Sequence, residues 1–213
     1  MFMHRSSLPA RVLLLALVLL LGACGKPKEA ALPSGTRVLA LGDSLTAPHG
    51  VTPEQAWPTL LAKKTGWAVV NAGVSGDTSA GALQRLPGLI EEHNPQLVLV
   101  SLGGNDMLRK LPTGETSANL GRMLDLVKAR GARAVLLATP KPSIAGAVFN
   151  NLSPADFYAD VASEKKVPLI KDALPEVLSD TALKSDQLHP NAAGHALLGD
   201  KIHSDLKKIG FAR

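Results

Sequence analysis

Two polar segments at opposite ends of the chain carry residues that could act together in nucleophilic chemistry. Segment 42–45, Gly-Asp-Ser-Leu, interrupts an apolar run and places Ser44 just beyond it. Near the other end, Asp186 stands three residues before His189. A serine becomes a useful nucleophile when a base lies beside it, and a carboxylate can orient an imidazole for that purpose. Taken alone, each segment is better explained by a helix cap or a surface turn.

Two further segments could supply hydrogen-bond donors to the oxyanion that forms when a serine attacks a carbonyl group. Segment 102–107, LGGNDM, presents the side-chain amide of Asn105, whereas its neighbour Asp106 is expected to hold the loop. Segment 71–79, NAGVSGDTS, contains Gly73, whose backbone N–H we expect to be free. The N–H of Ser44, at the start of a turn or helix, would be a third donor.

Alternating strands and helices are expected to position these groups. Apolar runs predict strands over 36–41, 67–71, 95–102, 133–139 and 167–171, and periodic segments predict helices over 53–65, 78–93, 115–130, 154–166 and 191–209. Pro87 should kink or split the second helix. The alternation favours a mostly parallel sheet covered on both faces, with ligands bound beyond the carboxyl ends of the strands. The polar segments that follow the strands should therefore gather at one edge.

Composition limits the classes of protein that this sequence can encode. The chain has 213 residues, 46% of them hydrophobic, with a net charge of +5 and one cysteine. These values suit one globular α/β domain with an N-terminal appendage. The basic residues are scattered and form no nucleic-acid-binding motif, so no nucleic-acid partner is expected. A single cysteine excludes an intramolecular disulfide and any CxxC motif.

The N-terminal segment has the pattern of a bacterial secretion signal. Basic residues are followed by the apolar run 12–21 and then by LGAC at 21–24, which resembles a lipobox. We expect a signal peptide over 1–23, lipidation of Cys24, a tether over 24–35 and a folded domain over 36–213. The expected location is the periplasmic side of a cell-envelope membrane, with the outer membrane favoured by Gly25. Ordinary cleaved secretion and an uncleaved anchor are the alternatives.

Several dispersed motifs together resemble those of the SGNH hydrolases, the GDSL lipase/esterase family. The segments ALGDSLT, VVNAGVSGDTSAG, LQRLP and LGGNDMLR occur in the same order as in its thioesterase, lysophospholipase and arylesterase branch, and the resemblance spans 37–210. It implies a flavodoxin-like three-layer α/β/α sandwich with a five-stranded sheet and no metal or organic cofactor. The usual α/β-hydrolase interpretation is disfavoured because the sequence lacks a Gly-x-Ser-x-Gly elbow.

The resemblance also implies a role for each matching residue. Ser44 would be the nucleophile, His189 the general base and then the general acid, and Asp186 the group that orients His189. The backbone N–H groups of Ser44 and Gly73, with the amide of Asn105, would form the oxyanion hole. Such an enzyme would hydrolyse acyl esters and thioesters, including lysophospholipids, and would act as a monomer.

Apolar residues in the loops beyond the strands could form a groove for the acyl chain. The candidates are Met107, Leu108, Ile144 and Phe149, although ordinary packing would also account for each of them. His49 could line the same cleft, while His195 and His203 are expected at the surface or between helices. Two other functions remain open at this point: an O-acetylesterase acting on carbohydrate or peptidoglycan, and a non-catalytic envelope lipoprotein that binds a partner.

Overall fold

The structure is a computed structural model that describes residues 30–143, residue 146 and residues 151–213. The predicted signal peptide, Cys24 and the first part of the tether lie outside the described residues. Two of the predicted groove residues, Ile144 and Phe149, lie outside them as well.

Five parallel strands form the central sheet, in the order β2-β1-β3-β4-β5. They are β1 (Arg37–Gly42), β2 (Ala68–Gly73), β3 (Leu97–Ser101), β4 (Arg133–Leu137) and β5 (Leu169–Ile170). This confirms the parallel five-stranded sheet predicted from the apolar runs. The chain order reverses between β1 and β3, and such a switch point leaves a crevice at the carboxyl edge of a parallel sheet.

Helices cover both faces of this sheet. Within the described residues they are α1 (Trp57–Thr65), α2 (Ser79–His93), α3 (Gly104–Leu108), α4 (Thr113–Ala129), α5 (Phe157–Lys165), α6 (Ala173–Ser179) and α7 (Ala192–Ile209). Helices α2, α4 and α5 pack on one face, and α1, α6 and α7 on the other. The result is the predicted three-layer α/β/α sandwich.

Alternating strand residues pack into two separate hydrophobic cores, one on each face of the sheet. Along β1, Leu39 and Leu41 face the core beneath α2, α4 and α5, whereas Val38 and Ala40 face the core beneath α1, α6 and α7. All four side chains are buried. Because successive side chains of a strand point to opposite faces, a strand buried on both faces must be apolar throughout. This accounts for the uninterrupted apolar runs in the sequence.

Two features of the helices differ from the sequence predictions. Helix α2 continues through Pro87 without a break, because Leu86 and Ile90 are buried against the sheet and offset the missing backbone hydrogen bond. The short helices α3 and α6 were not predicted. Each spans fewer than two full turns, which is too short for a clear helical periodicity.

The described part of the predicted tether is docked on the domain. The N–H of Leu32 donates to the carbonyl of Phe211 at 2.8 Å, and the N–H of Gly35 donates to the carbonyl of Gly66 at 2.8 Å. Leu32 also packs against the core beneath α1 and α7. Residues 30–35 are therefore part of the folded body. In the part of the chain that the structure describes, no helix has the length and apolar character needed to cross a membrane.

Candidate active site

Ser44 stands in a tight turn at the end of β1. The carboxylate of Asp43 accepts the N–H of Leu45 at 2.9 Å, and its carbonyl accepts the N–H of Ala47 at 2.9 Å. A side chain at Gly42 would collide with Thr46, so this position requires glycine. The turn holds the Ser44 hydroxyl clear of the sheet at the mouth of a cavity.

A chain of hydrogen bonds connects Ser44 to the other end of the sequence. The Oγ of Ser44 lies 2.9 Å from Nε2 of His189, and Nδ1 of His189 lies 2.8 Å from Oδ2 of Asp186. Since a carboxylate only accepts, Nδ1 carries the proton in this arrangement and Nε2 is left to accept from the serine hydroxyl. The structure thus brings together the three residues that the sequence proposed as a unit.

Asp186 is held in its charged form by local hydrogen bonds. Partial burial opposes ionisation, but the backbone N–H groups of Leu188 and His189 and the His189 ring all donate to it. These bonds lower the pKa of Asp186 to about 2. A permanently charged carboxylate can both fix the tautomer of His189 and stabilise its protonated form.

The loop that carries His189 is fixed on both sides. The carbonyl of His189 accepts the N–H of Ser185 at 2.9 Å, and an isolated antiparallel bridge pairs Lys184 with Pro190. Asn191 then caps α7 by accepting the N–H of Gly194 at 3.0 Å. The loop is thereby anchored to the start of a long helix.

Asn105 lies across the crevice from this loop, at the start of α3. Its Nδ2 donates to the carbonyl of Asp77 at 2.9 Å and faces the carboxylate of Asp43 at 3.3 Å. As predicted, Asp106 holds the loop: it is buried and accepts from the backbone and the hydroxyl of Ser79. The side-chain amide of Asn105 therefore faces the same cavity as Ser44.

The prediction that Gly73 offers a free N–H is wrong. Gly73 is the last residue of β2, its N–H donates to the side chain of Asn71 at 3.0 Å, and it does not line the cavity. Gly76, in the turn that follows, is the glycine that lines the cavity. Its backbone is in the left-handed region, at φ +78°, where glycine is favoured. Neither its N–H nor that of Ser44 bonds to any residue that the structure describes. Sequence reasoning chose the glycine at the strand end and missed the one in the following turn.

Asp43 is the other titratable group at this site with a displaced pKa. Burial raises the pKa of this carboxyl to about 6, although the Leu45 N–H and the nearby His189 ring both favour its charged form. Its position between the Leu45 backbone and the Asn105 amide steadies the turn that carries Ser44.

Arg85 connects the turns after β1 and β2, a role that the sequence did not reveal. Its Nε donates to the carboxylate of Asp77 at 2.8 Å, and its Nη2 donates to the carbonyl of Gly42 at 3.0 Å. One guanidinium thus joins the turn that carries Ser44 to the turn that carries Gly76. Nothing in the helix pattern marks this arginine, because its partners come from other elements.

A cavity of about 830 Å³ extends from Ser44 between the loops at the carboxyl edge of the sheet. Its apolar lining includes Leu45, Leu108, Pro140, Pro142, Leu152, Leu178 and Leu188. Of the predicted groove residues, Leu108 lines the cavity, whereas Met107 packs against the core beneath α2 and α4. Side chains of successive helical residues point in different directions, which accounts for this difference.

The remaining histidines lie in distinct surroundings. His49 lines the cavity, and its ring stacks on that of His189 with centroids 3.9 Å apart. His195 is buried between α1 and α7, where its Nδ1 accepts the N–H of Trp57 at 3.3 Å. Burial, assisted by the nearby His189, lowers the pKa of His195 to about 4. One atom each of His49, Asp186 and His189 form a cluster that could hold a metal ion.

A nucleophile, base and carboxylate at the carboxyl edge of a parallel three-layer sheet define a serine hydrolase, since the same constellation performs acyl transfer on several unrelated folds. The particular family follows from sequence comparison. The GDSL-like lipase/acylhydrolase family model matches residues 40–197, and the chain belongs to this family. This confirms the resemblance found in the dispersed motifs. The protein is a carboxylic-ester hydrolase of the SGNH type.

Characterised relatives extend along most of the chain. It is 38% identical over 177 residues to thioesterase 1/protease 1/lysophospholipase L1 of Escherichia coli K12, covering 81% of this chain and 84% of that protein. It is 32% identical over 186 residues to an arylesterase of Vibrio mimicus, covering 84% and 92%. The crystal structure of TesA superposes with a TM-score of 0.73 at 34% identity, covering 82% of this chain and 99% of that one.

Proposed function

We propose that this protein hydrolyses acyl esters and thioesters through an acyl-enzyme on Ser44. The observation that carries the proposal is the hydrogen-bonded chain from Ser44 through His189 to Asp186 at the mouth of a large apolar cavity. A hydroxyl activated in this way attacks the carbonyl carbon of an ester, and the cavity receives the acyl chain.

In the first half of the reaction, Nε2 of His189 takes the hydroxyl proton as Ser44 Oγ attacks the carbonyl carbon. The resulting oxyanion accepts hydrogen bonds from the N–H groups of Ser44 and Gly76 and from the amide of Asn105. The intermediate collapses when His189 returns the proton to the departing alcohol or thiol. Water then attacks the acyl-enzyme in the same manner, releasing the acid and regenerating the Ser44 hydroxyl.

The cavity favours substrates with an extended acyl chain. Its volume of about 830 Å³ far exceeds that of an acetyl group, and leucine and proline side chains dominate the apolar lining. Burying each methylene of a chain contributes about 0.8 kcal/mol, so a medium or long chain gains affinity that acetate does not. The proposed substrates are small acyl esters and lysophospholipids, the latter in keeping with the name of the E. coli relative.

The test is a hydrolysis profile across p-nitrophenyl esters of increasing chain length, measured on the full-length protein in detergent. The profile should peak at medium or long chains. Ser44→Ala should lose the activity because, among the described residues, no other hydroxyl is hydrogen-bonded to the His189 ring. Full activity in this variant would overturn the Ser44 mechanism, and a peak at acetate would favour an O-acetylesterase.

The proposed location of the enzyme is the periplasmic side of a cell-envelope membrane, to which lipidated Cys24 anchors it as a monomer. The sequence supports this through LGAC at 21–24, and a diacylated cysteine supplies the two chains that stable anchoring requires. Cys24→Ser should move the protein from the membrane fraction to the soluble fraction. Unchanged membrane association of this variant would contradict the lipid anchor.

A further inference from the structure

A second histidine lies beside His189, and the proposed mechanism does not use it. The rings of His49 and His189 have centroids 3.9 Å apart and planes tilted by 31°. With Asp186 they bring two imidazoles and a carboxylate together, and one ligand atom from each lies within 4.8 Å of the other two. His49 and Asp186 are exposed and the His189 side chain is 14% exposed, so an ion in solution reaches the cluster through His49 and Asp186.

The ligand set suits a divalent transition-metal ion such as Zn²⁺. Imidazole and carboxylate are among its preferred protein ligands, and bonds of about 2.0–2.2 Å place the ligand atoms of a tetrahedral site roughly 3.3 Å apart. Neither ring nitrogen of His49 is hydrogen-bonded to a residue in the described ranges. Because stacked rings aim their lone pairs almost in parallel, His49 must turn to face the ion, which its exposed position in the turn after Ser44 allows.

We propose that His49, Asp186 and His189 form a binding site for a divalent transition-metal ion that inhibits the enzyme reversibly. The inhibition rests on the function proposed above, in which His189 is the base. The ion bonds to Nδ1 of His189 and to a carboxylate oxygen of Asp186, so Nδ1 gives up its proton to solvent while Nε2 takes one from solvent. The neutral ring keeps a single proton, which is now on Nε2. The ring then donates to Ser44 and can no longer accept its proton.

The test is a Zn²⁺ titration of the initial rate of ester hydrolysis. Zn²⁺ should inhibit the natural enzyme, and a chelator should restore the rate. His49→Phe keeps a ring beside His189 but removes both nitrogens. With each rate expressed relative to the same protein's metal-free rate, the half-inhibitory Zn²⁺ concentration should be about tenfold or more higher than for the natural enzyme. His93→Phe is the matched control, because Nε2 of His93 lies 3.7 Å from the Glu92 carboxylate but His93 belongs to no histidine pair among the described residues. This variant should be inhibited like the natural enzyme.

A binding measurement separates this site from the catalytic proposal. Ser44→Ala keeps all three ligands, so it should compete with a zinc-chelating dye, and the added change His49→Phe should weaken that competition. Equal inhibition of the natural enzyme and His49→Phe, or no competition by Ser44→Ala, would overturn the metal site. Full ester hydrolysis by Ser44→Ala would instead overturn the proposed mechanism while leaving the binding result in place.

Discussion

At the scale of single residues, the Asn105 amide makes two hydrogen bonds of different length. One hydrogen of its amide points to the carbonyl of Asp77 at 2.9 Å, and the other faces the carboxylate of Asp43 at the longer distance of 3.3 Å. The short bond fixes the side chain, while the long bond is weaker and more easily exchanged. The second hydrogen is therefore the one that an oxyanion would recruit.

Replacing Asn105 by alanine should lower kcat by about 10²–10³ and change KM little, because the lost bond strengthens only as negative charge develops on the substrate. Steady-state kinetics on a medium-chain ester would measure this. Asn119→Ala is the control, since Asn119 bonds to Ser79 away from the cavity lining and should retain near-normal kcat. An equal fall in both variants would show a general disturbance of the loop.

At the scale of secondary-structure elements, Arg85 on α2 aligns two turns that no strand pairing holds together. Beyond Gly42 and Gly73 the β1–β2 ladder ends, and the N–H of Val74 donates to the carbonyl of Gly42 at 3.0 Å. Side-chain contacts add to this backbone bond in placing Ser44 and Gly76. The guanidinium supplies two of them, to the carbonyl of Gly42 and to the carboxylate of Asp77. Arg85 is therefore a positioning residue for both backbone donors.

Arg85→Ala should lower the free energy of unfolding by about 1–3 kcal/mol, because it leaves the largely buried Asp77 carboxylate without its charged partner. Urea denaturation would measure the change, and Arg85→Lys should recover part of it by keeping the charge but not the paired geometry. Arg130→Ala, at an exposed position after α4, should have no comparable effect. A loss of the same size at Arg130 would argue against a specific role for Arg85.

At the scale of the whole molecule, His195 makes the packing of α1 against α7 sensitive to pH. It is buried, and its Nδ1 accepts a backbone N–H from Trp57, so only the neutral ring fits. Its pKa falls from 6.5 to about 4 on folding. Between these values the unfolded chain binds a proton that the folded protein does not, so stability is full above pH 6.5 and decreases as the pH falls towards 4.

The contribution of His195 can be isolated by comparing the natural protein with His195→Asn, which cannot be protonated. On going from pH 6.5 to pH 4, the natural protein should lose about 3 kcal/mol of unfolding free energy relative to His195→Asn. Asp43, whose pKa is raised to about 6, acts in the opposite sense in both proteins and cancels in the comparison. Urea denaturation at several pH values would measure the shift, and a difference independent of pH would contradict it.

Local patterns in the sequence were sufficient for the layered architecture, and the resemblance to the SGNH hydrolases added the grouping of Ser44, Asp186 and His189. Strand and helix periodicity reflects which face of an element is buried, and this burial acts on every residue of the pattern. The parallel sheet then requires that the turns beyond its strands meet at one edge. The short helices α3 and α6 escaped detection because they contain too few residues to show a period.

Only the tertiary structure decided which groups at that edge are available. Gly73 ends β2 and Gly76 lies in the turn that follows, and the side chain of Asn71 occupies the N–H of Gly73. Likewise, Leu108 rather than Met107 reaches the cavity, and the ring of His49 lies on that of His189. Hydrogen-bond occupancy and side-chain direction depend on the folded backbone and on contacts such as that between His49 and His189, so a pattern of residue types cannot determine them.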